Sequence, residues 1–262
     1  MSLEATLLRW LPSFLLVLAR CGGLVAFAPP FSGQVVPRHA KLGLAGLLAL
    51  ILTPLLPAVP PGALGSAVGL AAALVGELAV GAIMGMAVRF IFAGVGMAGE
   101  LTAIQMGLGM PAALDPHAQI QVTAVNHLLD QIAVLVFLVG GGHHALLLGL
   151  VQSLTLAPPL TVGFDGGTLE YLMGLFAAAF LLAVRLAAPV GAAMLVSMVA
   201  LGLLNRAAPQ VNVFMVSFAL MIGVGLLAFL AALPLVVTVV AGTFQGLPAM
   251  LGGLLVQVRH GL

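Results

Sequence analysis

Few side chains in this 262-residue chain are equipped for chemistry. Lys41 is the only lysine and lies outside any GxxxxGK[ST] pattern, so no P-loop can cradle nucleotide phosphates. No serine occupies a GxSxG elbow, and HExxH is absent. His143 and His144 are adjacent, about 100° apart on a helix, and are expected to diverge rather than converge on a metal. A helix start at a membrane surface accounts for them. His127 stands alone and reads as a hydrogen-bonded core residue. The single cysteine, Cys21, excludes a disulfide framework and a Cys-rich metal site. Of the seven carboxylates, three are candidates for chemistry: Glu77, Glu100 and Asp130. Acids within membrane segments are candidates for proton relay. The alternative is structural pairing, of Glu77 with Arg89 or of Asp130 with another subunit. No catalytic, cofactor-binding or metal-ligating residue is assigned.

The elements that must position these groups follow from composition. Hydrophobic residues make up 63% of the chain and charged residues 6%, with 8 Lys+Arg, 7 Asp+Glu and a net charge of +1. An ordinary soluble domain carries roughly 25% charged residues. The mean hydropathy is +1.28. A soluble enzyme, a disordered chain and a nucleic-acid binder with a basic face are all excluded. No charge lies between Lys41 and Glu77, Asp130 and Asp165, Arg185 and Arg206, or Arg206 and Arg259. A helix of about 20 apolar residues crosses a bilayer. The runs do not alternate as barrel strands would, so an all-α membrane protein is expected, with about six spans by hydropathy. Arg9, the apolar run after it and Ala26-Phe27-Ala28 loosely imitate a cleavable signal. Arg20 interrupts that run, so a retained first helix is expected.

That first helix is expected over Pro12–Ala28, and a second over Leu42–Pro54. A third is expected over Ser66–Phe92, with small-xxx-small pairs at Gly65/Gly69 and Gly81/Gly85. From Gly94 to Pro116, glycines and prolines are expected to break any helix. Irregular backbone at membrane depth is tolerated only where protein buries it or where it lines a wet cavity. Gln119, Thr123, Asn126, His127, Asp130 and Gln131 fall on one helical stripe that should avoid lipid. Gly140-Gly141-Gly142 ends that helix. Thr168 is expected to cap a helix starting near Leu169. A long apolar region runs to Leu204, followed by a tight turn over Asn205–Gln210. A last arm covers Val211 to about Ala241, so the final two segments form a helical hairpin. One membrane domain is expected over 1–262.

Three stretches together resemble one family. They are Pro29–Leu44; Gly99-Glu100 with Gln105–Met110 and Asp115-Pro116; and Leu203–Phe214, with its Arg-x-x-Pro-Gln-x-Asn-x-Phe run. They are similar to the FliR family of flagellar export-gate proteins, whose injectisome relatives are the SctT/YscT group. The resemblance implies a non-enzymatic channel subunit of the flagellar type III protein-export gate, without cofactor. It implies assembly with FliP and FliQ homologues, association with an FlhB homologue, contact with membrane lipid and passage of unfolded flagellar proteins. It also implies a multi-pass protein of the bacterial inner membrane at the flagellar basal body. The implied fold is six to eight long hydrophobic helices in bent hairpins, FliP-like over 1–168 and FliQ-like over 169–262. The family's plug loop maps onto Gln105, Met106, Gly107, Leu108, Gly109, Met110, Pro111 and Ala112, continuing to Ala113 and Leu114. Methionine's flexible thioether suits a seal against irregular gaps. Subunit contacts are expected at Glu100, Asn126, Asp130, Arg206, Pro209, Gln210, Asn212 and Phe214. The injectisome gate and, more remotely, a secondary transporter are the alternatives; the latter requires an inverted repeat and a charged midplane site.

Overall fold

The computed structural model describes residues 3–29, 31–33, 36–56, 59, 66–108, 124–207 and 213–260. These residues form eight α-helices and one 3-10 turn, with no strand among them. The helices are α1 (Leu3–Phe27), α2 (Arg38–Leu52), α3 (Ala67–Gln105), α4 (Ala124–Val139), α5 (Gly142–Leu156), α6 (Gly166–Ala207), α7 (Val213–Gln245) and α8 (Leu247–His260). The 3-10 turn, Thr53–Leu55, follows α2 directly. Five stretches are long and apolar enough to cross a membrane by length and composition: four fall within α1, the α2 run, α3 and α6, and the fifth runs from α7 into α8. The broken pair α4 and α5 qualifies as a sixth. The all-α membrane class is therefore observed.

Several boundaries differ from the sequence reading. Helix α1 begins nine residues before Pro12 and carries that proline in its interior, as membrane helices can where neighbouring groups satisfy the freed carbonyl. Helix α3 runs through Gly94, Gly96 and Gly99 to Gln105 instead of breaking after Phe92. Its glycines are contact points for neighbouring helices and not breaks. Helix α6 likewise continues through Asn205 and Arg206 to Ala207, so the expected tight turn there is helical over its first three residues. Residues 208–212 lie outside the described ones. Helix α8 was not expected, since Pro248 and Gly252-Gly253 argue locally against it; its proline stands in the first turn, where a missing N–H is harmless. Thr168 does not cap α6. Asp165 does, its Oδ1 accepting from Thr168 N at 3.0 Å.

The chain forms two compact units. Unit 1 comprises residues 1–90, 141–175 and 246–262; unit 2 comprises 91–140 and 176–245. In unit 1, α1 packs on α2, and α5 packs on α8. A methyl group at Gly81 would overlap the Arg20 carbonyl, and one at Gly23 the Leu78 carbonyl. One at Gly85 would lie 2.9 Å from Ala28 N, so α1 and α3 touch backbone to backbone. In unit 2, α4 packs on α7. Phe92, Phe137 and Phe244 form an aromatic trio with centroids 5.1–5.6 Å apart, joining α3, α4 and α7 largely edge to face.

Candidate functional site

Two constellations stand out, one in each unit. In unit 1 the first is polar. Arg20 and Glu77 are 0% and 1% exposed. Arg20 Nε donates to Glu77 Oε2 at 2.6 Å, and Nη2 approaches the same oxygen at 2.6 Å. Nη1 donates to the Ser153 carbonyl at 2.8 Å and to Ser153 Oγ at 3.1 Å. Nη2 also donates to the Ala157 carbonyl at 2.9 Å. The planar guanidinium fork is suited to such multiple donation, which a lysine could not reproduce. The Leu160 N–H points to Glu77 Oε1 at 3.4 Å. Leu160 has φ +72, the left-handed value required at the third position of a Pro158–Thr161 turn that closes with Thr161 N donating to Pro158 O at 3.1 Å. A leucine there is strained; the turn it permits brings its N–H to the carboxylate.

This corrects the expected pairing of Glu77 with Arg89. Arg89 is exposed on α3, and the partner comes from α1, 57 residues away. Every guanidinium nitrogen has a protein acceptor, so the pair fastens α1, α3 and α5 together and leaves no open coordination for a passing ion. Lys41 is also structural, its Nζ donating to the Ser32 and Gly33 carbonyls at 3.0 Å. The histidines depart from expectation as well. The rings of His143 and His144 do not diverge but lie against each other, with centroids 4.1 Å apart and planes tilted by 37°. No group of three or more His, Cys, Asp or Glu side chains that could hold a metal occurs among the described residues. An open cavity of about 490 Å³ near the start of α6 is lined by a single carboxylate, Glu170, beside Tyr171 and Gln257. The Tyr171 hydroxyl is already committed to the Met250 carbonyl at 2.8 Å.

The second constellation, in unit 2, is the end of α3. Gly107 has φ +75. Its N–H reaches the Ile104 carbonyl at 3.0 Å, and Leu108 N reaches the Ala103 carbonyl at 3.0 Å. These are the two bonds of a Schellman stop with glycine at its left-handed position. Met106 is 1% exposed. Its side chain fills a notch on α7, where a methyl at Gly225 would lie 2.5 Å from Met106 Cγ. Gln105 lies against α6, where a methyl at Gly191 would be 3.1 Å from its Nε2. Gln105 Oε1 is buried with no hydrogen-bond partner among the described residues.

Of the expected gate residues, Gln105, Met106, Gly107 and Leu108 are therefore together at this stop. Gly109, Met110, Pro111 and Ala112 lie outside the described residues, as do Ala113 and Leu114. Of the expected contact residues, Glu100 is exposed on α3 and Arg206 is exposed in the last turn of α6. Asn126 and Asp130 are half-buried on α4 beside α3, where a methyl at Gly99 would lie 2.7 Å from Asn126 Cα and one at Gly96 3.5 Å from Asp130 Oδ1. His127 and Gln131 of the same stripe are exposed. Phe214 is in the first turn of α7, and Pro209, Gln210 and Asn212 lie outside the described residues. Sequence reasoning missed Arg20, Ser153, Gly191 and Gly225. Arg20 carried a signal, being a charge inside an apolar run.

Comparison with known proteins adds the following. Residues 11–247 match the family described as bacterial export proteins, family 1. The chain is 33% identical over 231 residues to the flagellar biosynthetic protein FliR of Escherichia coli K12, covering 87% of each chain. It is 28% identical over 252 residues to FliR of Pectobacterium carotovorum, covering 96% of each. It is 28% identical over 237 residues to FliR of Bacillus subtilis, covering 89% of this chain and 91% of that one.

Proposed function

We propose, from the premise that this chain belongs to the FliR family of bacterial export proteins, that it is a channel subunit of the flagellar type III protein-export gate. In this reading it does no catalysis. It assembles with FliP and FliQ homologues and an FlhB homologue in the bacterial inner membrane at the flagellar basal body. Residues 1–168 correspond to a FliP-like part and 169–262 to a FliQ-like hairpin. The observation that carries the reading is similarity to FliR over 87% of both chains. The exposed apolar side chains of α6 and α7, such as Phe176, Phe180, Leu195, Val199 and Leu227, fit it, since lipid or neighbouring subunits would cover them.

The segment Gln105–Ala112 is proposed to close the conduit, since a hydrophobic constriction blocks ions by dewetting. Glu100, Arg206, Pro209, Gln210, Asn212 and Phe214 are proposed to contact neighbouring subunits. Asn126 and Asp130 are proposed to contact the same neighbours from α4, beside α3. Deleting Gly107–Ala112 tests the gate. Cells carrying the deletion should become leaky to ions, while FliP and FliQ homologues still co-purify with the chain. Unchanged membrane conductance would remove the gate assignment, and failure of those homologues to co-purify with the intact chain would remove the assembly itself.

A further inference from the structure

The end of α3 is held more firmly than a moving seal requires. Two consecutive side chains enter two notches on two different helices of unit 2: Gln105 lies on Gly191 of α6 and Met106 on Gly225 of α7. Each notch exists only because its residue lacks a Cβ. Met106 is almost wholly buried, and the Schellman bonds of Gly107 and Leu108 tie off the helix directly after it. Further back on the same helix, a methyl at Gly94 would meet the Ala179 carbonyl at 2.7 Å, and Gly99 abuts Asn126. Withdrawing Met106 would empty a packed notch and open the helix stop at once.

We infer that Gln105, Met106 and Gly107 are a fixed anchor at the end of α3, with Met106 remaining seated on Gly225 while substrate passes. This rests on the gate reading above and assigns these three residues to positioning. Methionine, usually valued for adaptability, serves here as a filler matched to a missing side chain.

Cross-linking tests the anchor. A Cβ built on Gly225 lies 3.3 Å from Met106 Cβ, close to the roughly 3.5–4.5 Å spanned by a disulfide. The double variant Met106→Cys/Gly225→Cys, in a Cys21→Ala background, is expressed as the only copy in cells and oxidised. The expected result is protection of both thiols from a maleimide mass tag, with export staying within about twofold of the reduced state. Arrest of export on oxidation, reversed by reductant, would show that Met106 must leave its notch and would overturn the inference. Failure of the thiols to link in assembled gates would overturn it too. Where the cysteine variant fails to accumulate, Gly225→Ala decides: it should make cells leaky, and adding Met106→Ala should restore the seal. No leak, or a leak that Met106→Ala leaves untouched, counts against the anchor. The gate reading fails separately, on the Gly107–Ala112 deletion: if the deletion leaks while the cross-link arrests export, only the anchor is lost.

Discussion

Both compact units bring helices together through glycines, and among the described residues only unit 1 adds a fully buried charge pair to them. There, α1 and α3 touch through Gly23, Gly81 and Gly85, and the Arg20–Glu77 pair sits beside that contact, tied onward to Ser153 and Ala157 of α5 and its end. Unit 2 relies on shape: Gly94, Gly99, Gly191 and Gly225 receive neighbouring atoms, and three phenylalanines close the space between α3, α4 and α7. Helices in lipid lack the hydrophobic drive that assembles soluble cores, so close packing and polar contacts must do the work. The difference between the units teaches what each device is good for. A charge pair accepts one partner geometry and fails sharply when half is removed. A glycine notch accepts whatever fits, and its sensitivity depends on whether backbone or a flexible side chain fills it.

The sharpest way to break this comparison is Arg20→Ala. It leaves Glu77 buried without its counter-charge, a loss of about 3–5 kcal/mol. The full-length protein should largely disappear from membranes, and Arg20→Met/Glu77→Leu should recover much of it. Equal tolerance of the single and double variants would mean that the pair is not what fastens unit 1. A graded test compares two glycines. Gly81→Ala sets a methyl against the Arg20 backbone, which cannot move aside, at a cost of roughly 1–3 kcal/mol. Gly225→Ala meets only the methionine side chain, so about 1 kcal/mol is expected. Denaturant midpoints of the detergent-solubilised variants should rank in that order, and the reverse order would contradict the distinction between backbone-filled and side-chain-filled notches. The smallest effect belongs to Gln105→Met. Replacing a buried amide whose Oε1 has no partner should change stability by less than about 0.5 kcal/mol, or raise it slightly. A substantial loss would show that this oxygen has an acceptor role in the assembled protein.

Much of the fold was legible because hydropathy and helical periodicity are local properties. The apolar stretches read as helices became α1, α2, α3, α6 and α7, and Gly140-Gly141 separates α4 from α5 as read. The stop at Gly107 was not singled out: it stood among several expected breaks, and only the structure shows which glycine takes the left-handed value. Gly94, Gly96 and Gly99 were misread because a glycine's effect depends on what faces it. Where a neighbouring helix fills the space, the helix continues. The partner of Glu77 was misread because Arg89 is near in sequence and Arg20 is near only in space. Of the expected stripe, Gln119 and Thr123 lie outside the described residues, and the buried face of α4 is the apolar row Val125, Leu129, Ala133 and Phe137, with Asn126 and Asp130 at the margin.

The sequence by itself determined that this is a helical membrane chain with few charges and long apolar helices, since each of these depends on residues within a few turns of one another. Only the tertiary structure decided that Arg20 answers Glu77, that Leu160 bends its backbone toward that pair, and that Gly191 and Gly225 are the notches holding the end of α3. Those facts depend on which helices come within a side chain's reach, and no stretch of sequence carries that distance.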